Sequence, residues 1–385
     1  MNVSQIRPPA ALSRRAENFG QPHSLSMKTT RSCSRVLAAT ILVLLAGCST
    51  TSKTAGPKYI FFPPPPDPPR LQFLTSFSSE KDLRGGHADS FLTFVTGAVP
   101  AEKPIGKPYG AALSQNRIYV CDTGARAVLK LDLETRRITA VASTGPAALK
   151  VPLNITIDAD GTSYIADSGR HQVVILDKNE NLVAVIGEKG AMKPRDVALT
   201  RDRIYIADFQ SQRVQVYDKA TRKPLFAIPS EADAADLNRK LFQPGNLAVD
   251  SVGRVYVSDV GAFRVQVYDR DGKYIRTMGK YGDNIGEFAR PKGVALDREN
   301  RLYTVDAATQ VVQMFDDQGQ LLMWFGEPKG SRVGLELPAK VVVDYDHVKF
   351  FERDAAPDFK VEYLVVVINQ YGPRLVSVFG FGHKK

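Results

Sequence analysis

A repeat constrains this chain more than any other feature. Pro108, Pro152, Pro194, Pro244, Pro291 and Pro338 lie 44, 42, 50, 47 and 47 residues apart, and each opens the same succession of short apolar runs. The unit is clearest in Pro244–Asp250, Gly253–Asp259 and Arg264–Asp269, and it returns in Gly293–Asp297, Arg301–Asp306 and Val312–Asp316. A fourth run follows, as in Tyr274–Gly279. Four short antiparallel strands per repeat of about 40–50 residues is the pattern of a propeller blade. Helical repeats are excluded, because no i, i+3, i+4, i+7 stripe runs for the length a helix pair needs.

Six repeats predict an all-β, six-bladed propeller over residues 70–385. The sixth repeat ends after one strand too few, and Arg70–Phe77 has the strand character to supply the missing one. Pairing the first strand with the last blade removes a free sheet edge, which is the physical reason to expect it.

The motif Pro-x-Gly-Val-Ala-Leu-Asp, then Tyr-Val-x-Asp, then Arg-Val-Gln-Val-Tyr-Asp resembles the NHL repeat, most strongly in the repeats from Pro194, Pro244 and Pro291. The resemblance implies a fold and no particular reaction.

Ahead of the repeats, Met27–Arg35 is cationic, Val36–Ala46 is an eleven-residue apolar run, and Leu45-Ala46-Gly47-Cys48 follows. This is the order of a secretory signal, and the run is too short to cross a bilayer, which takes about 20 residues. Leu-Ala-Gly-Cys resembles the lipobox of bacterial lipoproteins and implies that Cys48 is the acylated first residue of the mature chain. With signal, Pro-rich segment and six blades together, the chain is similar to the NHL-type propeller lipoproteins of bacteria. Anchorage in the cell envelope is then expected, at the outer rather than the inner membrane, because Ser49 and not Asp follows the Cys. Residues 1–26 are expected to be an over-long or disordered extension, 27–47 the signal, and 48–69 a linker whose prolines (Pro63–Pro66, Pro68, Pro69) make a polyproline spacer.

Charge adds little. Six of 51 Lys and Arg and one of 41 Asp and Glu lie in residues 1–47, leaving 45 against 40, too small a bias to imply nucleic acid. Three Cys form no disulfide framework, and Cys121, inside a strand, reads as a small buried thiol. Five His, no two at one blade position, offer no metal cage.

Residues present in every blade serve the blade. Asp122, Asp167, Asp208, Asp259 and Asp306, with Asn369 in the sixth repeat, are expected to cap the turn after the second strand. Departures are more informative. Two residues after each proline, where Gly110 and Gly293 show the usual repeat residue, stand Asn154, Asp196, Asn246 and Lys340, expected at the mouth of the central channel. The first three are oxygen donors suited to Ca²⁺ or another divalent cation. Lys340 would repel a cation or pair with Asp196, so the favoured expectation is a polar mouth without cofactor. Arg126, Arg170, His171 and Arg264 are expected to form a charged rim, in the simplest reading a solvated surface and otherwise a face for an anionic glycan, lipid headgroup or acidic partner. Finally, Pro338 to Asn369 spans 31 positions where other repeats span 14 or 15. That insertion, residues 347–360 with Phe350, Phe351 and Phe359, is expected to extend as a longer hairpin or lobe whose aromatics either form a docking surface or pack on one another and over the open end of the channel. Two functions follow: a non-catalytic, monomeric binding or scaffold module with an envelope protein partner, or a metal-dependent lactonase or lyase using Asn154, Asp196 and Asn246.

Overall fold

A computed structural model describes residues 59–85, 103–141, 144–188, 190–326, 331 and 333–385. Cys48 and residues 27–47, expected to be a signal, lie outside them.

The described residues form six antiparallel sheets. Strands β1 (Ile60–Phe62) and β2 (Leu71–Phe77) precede the repeats. Blade 1 holds β3 (Pro108–Ser114), β4 (Arg117–Asp122), β5 (Ala127–Asp132) and β6 (Ile138–Val141). Blade 2 holds β7 (Pro152–Ile157), β8 (Ser163–Asp167), β9 (Gln172–Leu176) and β10 (Leu182–Ile186). Blade 3 holds β11 (Pro194–Leu199), β12 (Arg203–Asp208), β13 (Arg213–Asp218) and β14 (Pro224–Ile228). Blade 4 holds β15 (Pro244–Val249), β16 (Val255–Asp259), β17 (Arg264–Tyr268) and β18 (Tyr274–Met278). Blade 5 holds β19 (Pro291–Leu296), β20 (Leu302–Asp306), β21 (Val311–Phe315) and β22 (Leu321–Phe325). Blade 6 holds β23 (Pro338–Asp344), β24 (Phe359–Asn369) and β25 (Val376–Lys384), to which β2 and then β1 are added. The innermost strands touch in the order β3, β7, β11, β15, β19, β23 and back to β3, so the ring is closed.

Blade 6 is sealed as expected, with Leu71 opposite Phe381 and Phe77 opposite Val376. It also carries a fifth strand. Ile60–Phe62 pairs with Leu71–Phe73, so the propeller begins ahead of Arg70. Pro63–Pro69 joins the two strands as a hairpin connection, with Arg70 N–H donating to Phe62 O at 2.8 Å. The polyproline spacer is therefore corrected: burial of Phe62 against Phe325 and Phe379 ties the segment to the ring.

Each sheet is sandwiched between two others, so both faces of its middle strands are buried. Val255 and Val257 pack with blade 3 residues Tyr205 and Val216, while Tyr256 between them packs with Phe288 and Phe315 of blade 5. Six apolar clusters result, one for each blade–blade interface. Cys121 is fully buried in the cluster between blades 1 and 2, and burial pushes its thiol well up.

The repeated proline and aspartate meet across each sheet. Pro108 faces Asp122, Pro152 Asp167, Pro194 Asp208, Pro244 Asp259, Pro291 Asp306, and Pro338 Asn369. Asp167 accepts from the N–H groups of Lys150, Val151, Gly169 and Arg170 at 2.6–3.0 Å. Asp306 does the same for Ala289, Arg290, Ala308 and Thr309. One carboxylate thus ties the turn after the second strand to the loop that leads into the first. Asn369 instead donates to Arg374 O and Ser377 Oγ.

The insertion of blade 6 does not protrude. Phe351 and Phe359 are buried and Phe350 half-buried. Phe351 packs on Phe77, and Phe359 on Phe61, with ring centroids 6.3 and 5.3 Å apart. Gln72 holds the segment by accepting from Ala356 N–H and donating to Asp354 O. His347 Nδ1 sits 2.9 Å from Asp344, and its Nε2 accepts from Asn116 N–H of blade 1. Phe351 and Phe359 are corrected from docking aromatics to core, because they pack on β2 and β1 of blade 6, and Phe350 lies partly buried against the same cluster as Phe351.

Candidate functional site at the ring axis

Every innermost strand is irregular just after its proline, with register shifts at Pro108/Ala111, Pro152/Asn154, Pro194/Asp196, Pro244/Leu247, Pro291/Val294 and Pro338/Lys340. A bulge changes which face a side chain meets. Here it divides the axis into two layers.

The deeper layer carries the residues two after each proline. Asn154, Asp196, Asn246 and Lys340 converge there, all buried. Lys340 Nζ donates to Asp196 Oδ2 at 2.7 Å and to Asn246 Oδ1 at 3.3 Å. Asn154 Nδ2 donates to Arg195 O at 2.9 Å and to the same Asn246 Oδ1 at 3.3 Å. Asp196 also accepts from the N–H groups of Val197 and Leu247. Glycine elsewhere in this layer makes room: a Cβ on Gly110 would collide with Leu153 O and the Asn154 amide, and one on Gly293 would lie 2.6 Å from Lys340 Cα.

The expected contact between Asp196 and Lys340 is therefore present, but as a buried tie rather than at an open mouth. The residues do not fit a divalent cation. Two of the three proposed oxygen donors already hold the Lys340 ammonium, which stands where a cation would. Only Asn154 Oδ1 among them lacks a donor. One neutral oxygen beside an ammonium falls well short of the six or more oxygens Ca²⁺ takes.

The outer layer, which is the mouth, carries residues one after the proline: Tyr109, Arg195, Gly245 and Lys292 line it, with Arg290, Phe209 and Gln243 from adjoining loops, around a depression of about 540 Å³ open to solvent. Sequence reasoning missed this set. Only the residue two after each proline was expected at the mouth, whereas the bulge makes two successive residues both face the axis. The available signal was the basic character of Arg195 and Lys292 at one repeat position.

The predicted rim is not assembled. Arg170 donates to Pro146 O and Ala148 O, and Arg264 to Asn238 O and Lys240 O, so both hold loops in place. Arg126 and His171 share one turn position, with Gln212, Phe263 and Gln310, and all five have φ of 54–62°. His171 Nδ1 is 2.8 Å from Met192 O. Arg126 is exposed on blade 1, whereas Arg170 and His171 lie on blade 2 and Arg264 on blade 4. These side chains are spread round the ring by blade geometry.

Lys292 is the electrostatic outlier. It is 7% exposed, donates to Gln370 Oε1 at 2.9 Å, and lies 5.4 Å above the Tyr109 ring. Burial, with Arg290 and Arg195 nearby, pushes its amine down to about 8. Between pH 8 and about 10.5, its value when unfolded, the unfolded chain binds more protons than the folded one, so folding gains stability as pH rises. Thermal midpoints should climb over that window in the wild type relative to Lys292→Met, which should also be the more stable protein at pH 7. Parallel curves would contradict the buried charge.

Six sheets in a closed ring, each built on this repeat, make the chain an NHL-type six-bladed β-propeller. A family model for a domain of unknown function described as "6-bladed beta-propeller" matches residues 239–323, within blades 4 and 5. Human NHL repeat-containing protein 3 is 31% identical over 146 residues, covering 35% of this chain and 40% of its own length. The chain thus spans well under half of that relative. A gluconolactonase from Xanthomonas campestris shares the fold at 16% identity and a TM-score of 0.53, over 86% of this chain and 99% of its own. A protein of unknown function from Bacteroides thetaiotaomicron does so at 16% and 0.55, over 72% and 70%. Streptogramin B lyase does so at 13% and 0.50, over 73% and 85%. At these identities the likeness concerns the fold alone.

Proposed function

We propose that the chain is a non-catalytic binding module, attached to the bacterial cell envelope through a lipid on Cys48 and presenting its propeller to an envelope partner. The observation that carries the non-catalytic part is the deep axial layer. Asp196, Asn246 and Lys340 are spent on one another, which leaves no carboxylate or amine in that layer free to act as base or metal ligand. The anchoring part rests on the lipobox-like sequence at Cys48. Because the prolines fold back into blade 6, only the chain from Cys48 to Tyr59 is left as tether, about 40 Å at full stretch. The ring would then work close to the membrane, as a monomer.

Fractionation of a Gram-negative host tests the anchor. The wild type should pellet with membranes and need detergent for release, and Cys48→Ala should be soluble in the periplasm. A Cys48→Ala protein still in the membrane fraction would refute the anchor. Metal analysis tests the rest: a stoichiometric divalent ion, lost in Asp196→Ala, would replace this reading with the metal-dependent lactonase or lyase.

A further inference from the structure

The mouth of the ring has the composition of a receptor for a small anion. Arg195 enters it from β11 of blade 3, Lys292 from β19 of blade 5 and Arg290 from the loop before β19, while none of the residues lining it is acidic. The nearest carboxylate below, Asp196, is already held by Lys340. Lys292 is more than nine-tenths buried, and its hydrogen-bonding partner is the neutral Gln370. A buried ammonium without a carboxylate is unfavourable, and here two guanidinium groups add like charge. An arriving oxyanion would relieve both costs. Flat apolar walls stand beside the cations: Tyr109 lies under Lys292, and Phe209 under Arg195 with its ring centroid 4.5 Å from the guanidinium carbon.

We propose that the mouth binds a small organic anion, an oxyanion held by Lys292, Arg195 and Arg290 with a flat apolar body against Tyr109 and Phe209. Guanidinium groups match carboxylate and phosphate alike through paired N–H donors, so the shared oxyanion chemistry is what the pocket reads. The inference is independent of lipid anchorage and of any protein partner.

Proton uptake provides a readout that a merely structural pocket would not give. The charged groups facing Lys292 are Arg195 of β11 and Arg290, with the phenol of Tyr109 from β3 and the neutral Gln370 after β24. With its amine near 8, Lys292 is about half protonated at pH 8, and a bound anion favours the charged form.

Calorimetric titration of the full chain with benzoate, phenyl phosphate, inorganic phosphate and neutral benzamide, in buffers of different ionisation enthalpy, tests this. Benzoate, phenyl phosphate or both should bind saturably, at least tenfold tighter than benzamide, taking up about half a proton at pH 8 and almost none at pH 6. The preferred probe identifies the headgroup as carboxylate or phosphate ester. Lys292→Met should abolish the uptake and weaken binding at least tenfold, and Arg290→Gln, at an exposed site that does not threaten folding, should weaken it several-fold. Binding of inorganic phosphate as tight as phenyl phosphate would overturn the apolar wall. Affinity for benzamide equal to that for the anions, or no change in either variant, would overturn the site.

Discussion

Lys340→Met should destabilise the propeller by about 3–5 kcal/mol, the range for removing one partner of a buried ion pair. The reason lies in what the substitution leaves behind. Asp196 is fully buried, and without the ammonium it keeps only the N–H groups of Val197 and Leu247, while Asn246 Oδ1 keeps only Asn154 Nδ2. Asp196→Leu alone should cost a similar amount, since it strands the ammonium instead. The double variant Asp196→Leu/Lys340→Met should recover most of the loss, because replacing both charges with apolar groups of like volume is often neutral or better. Urea denaturation of the four proteins closes the cycle. A single variant that loses less than about 1 kcal/mol would mean that water reaches the pair and the tie is not structural.

A chain beginning at Ser78 should fail to fold cooperatively. It lacks β1 and β2, and with them Phe62, Leu71, Leu74 and Phe77, which are buried in the two interfaces that flank blade 6. Removing one such side chain typically costs about 2–5 kcal/mol, so removing four, about 8–20 kcal/mol, matches or outweighs the roughly 5–15 kcal/mol by which most domains are stable. Strand β25 would also be left as an open edge with Phe379 uncovered. A synthetic peptide of residues 59–77 added in excess should restore a cooperative thermal transition, with a midpoint that rises with peptide concentration. A truncated chain melting like the full ring would show that blade 6 closes without its first strands.

The ring itself could be read from the sequence because its signals are local and repeated. The spacing of prolines and the aspartate 14 or 15 residues on are two ends of one cross-strand pair, so their recurrence is the register written out. The Asp196–Lys340 contact was legible for the same reason, since both stand at one position of the repeat. The mouth was not legible. A bulge breaks alternation without leaving a mark in composition, and it placed Arg195 and Lys292 where a regular strand would not. Arg170 and Arg264 were misjudged because the loop carbonyls that hold them come from 22–27 residues earlier in the chain. Phe351 and Phe359 looked exposed among charges, but they pack on strands that lie some 280 residues away in sequence, which no local pattern records.

Sealing the ring with β2 also sets an order of events. Leu71 pairs with Phe381, more than 300 residues later, so this contact closes one of the longest loops the chain can make. Blades 1 to 5 each draw their four strands from one continuous stretch and can form as soon as that stretch is available. Strand β2, among the first made, must wait for the last, with Leu71, Phe73 and Leu74 uncovered and the edge that will meet β25 unpaired. During synthesis at about 5–20 residues per second that wait lasts roughly 15–60 seconds. For this protein the hazard of aggregation is concentrated in its opening strands and ends when the final residues arrive.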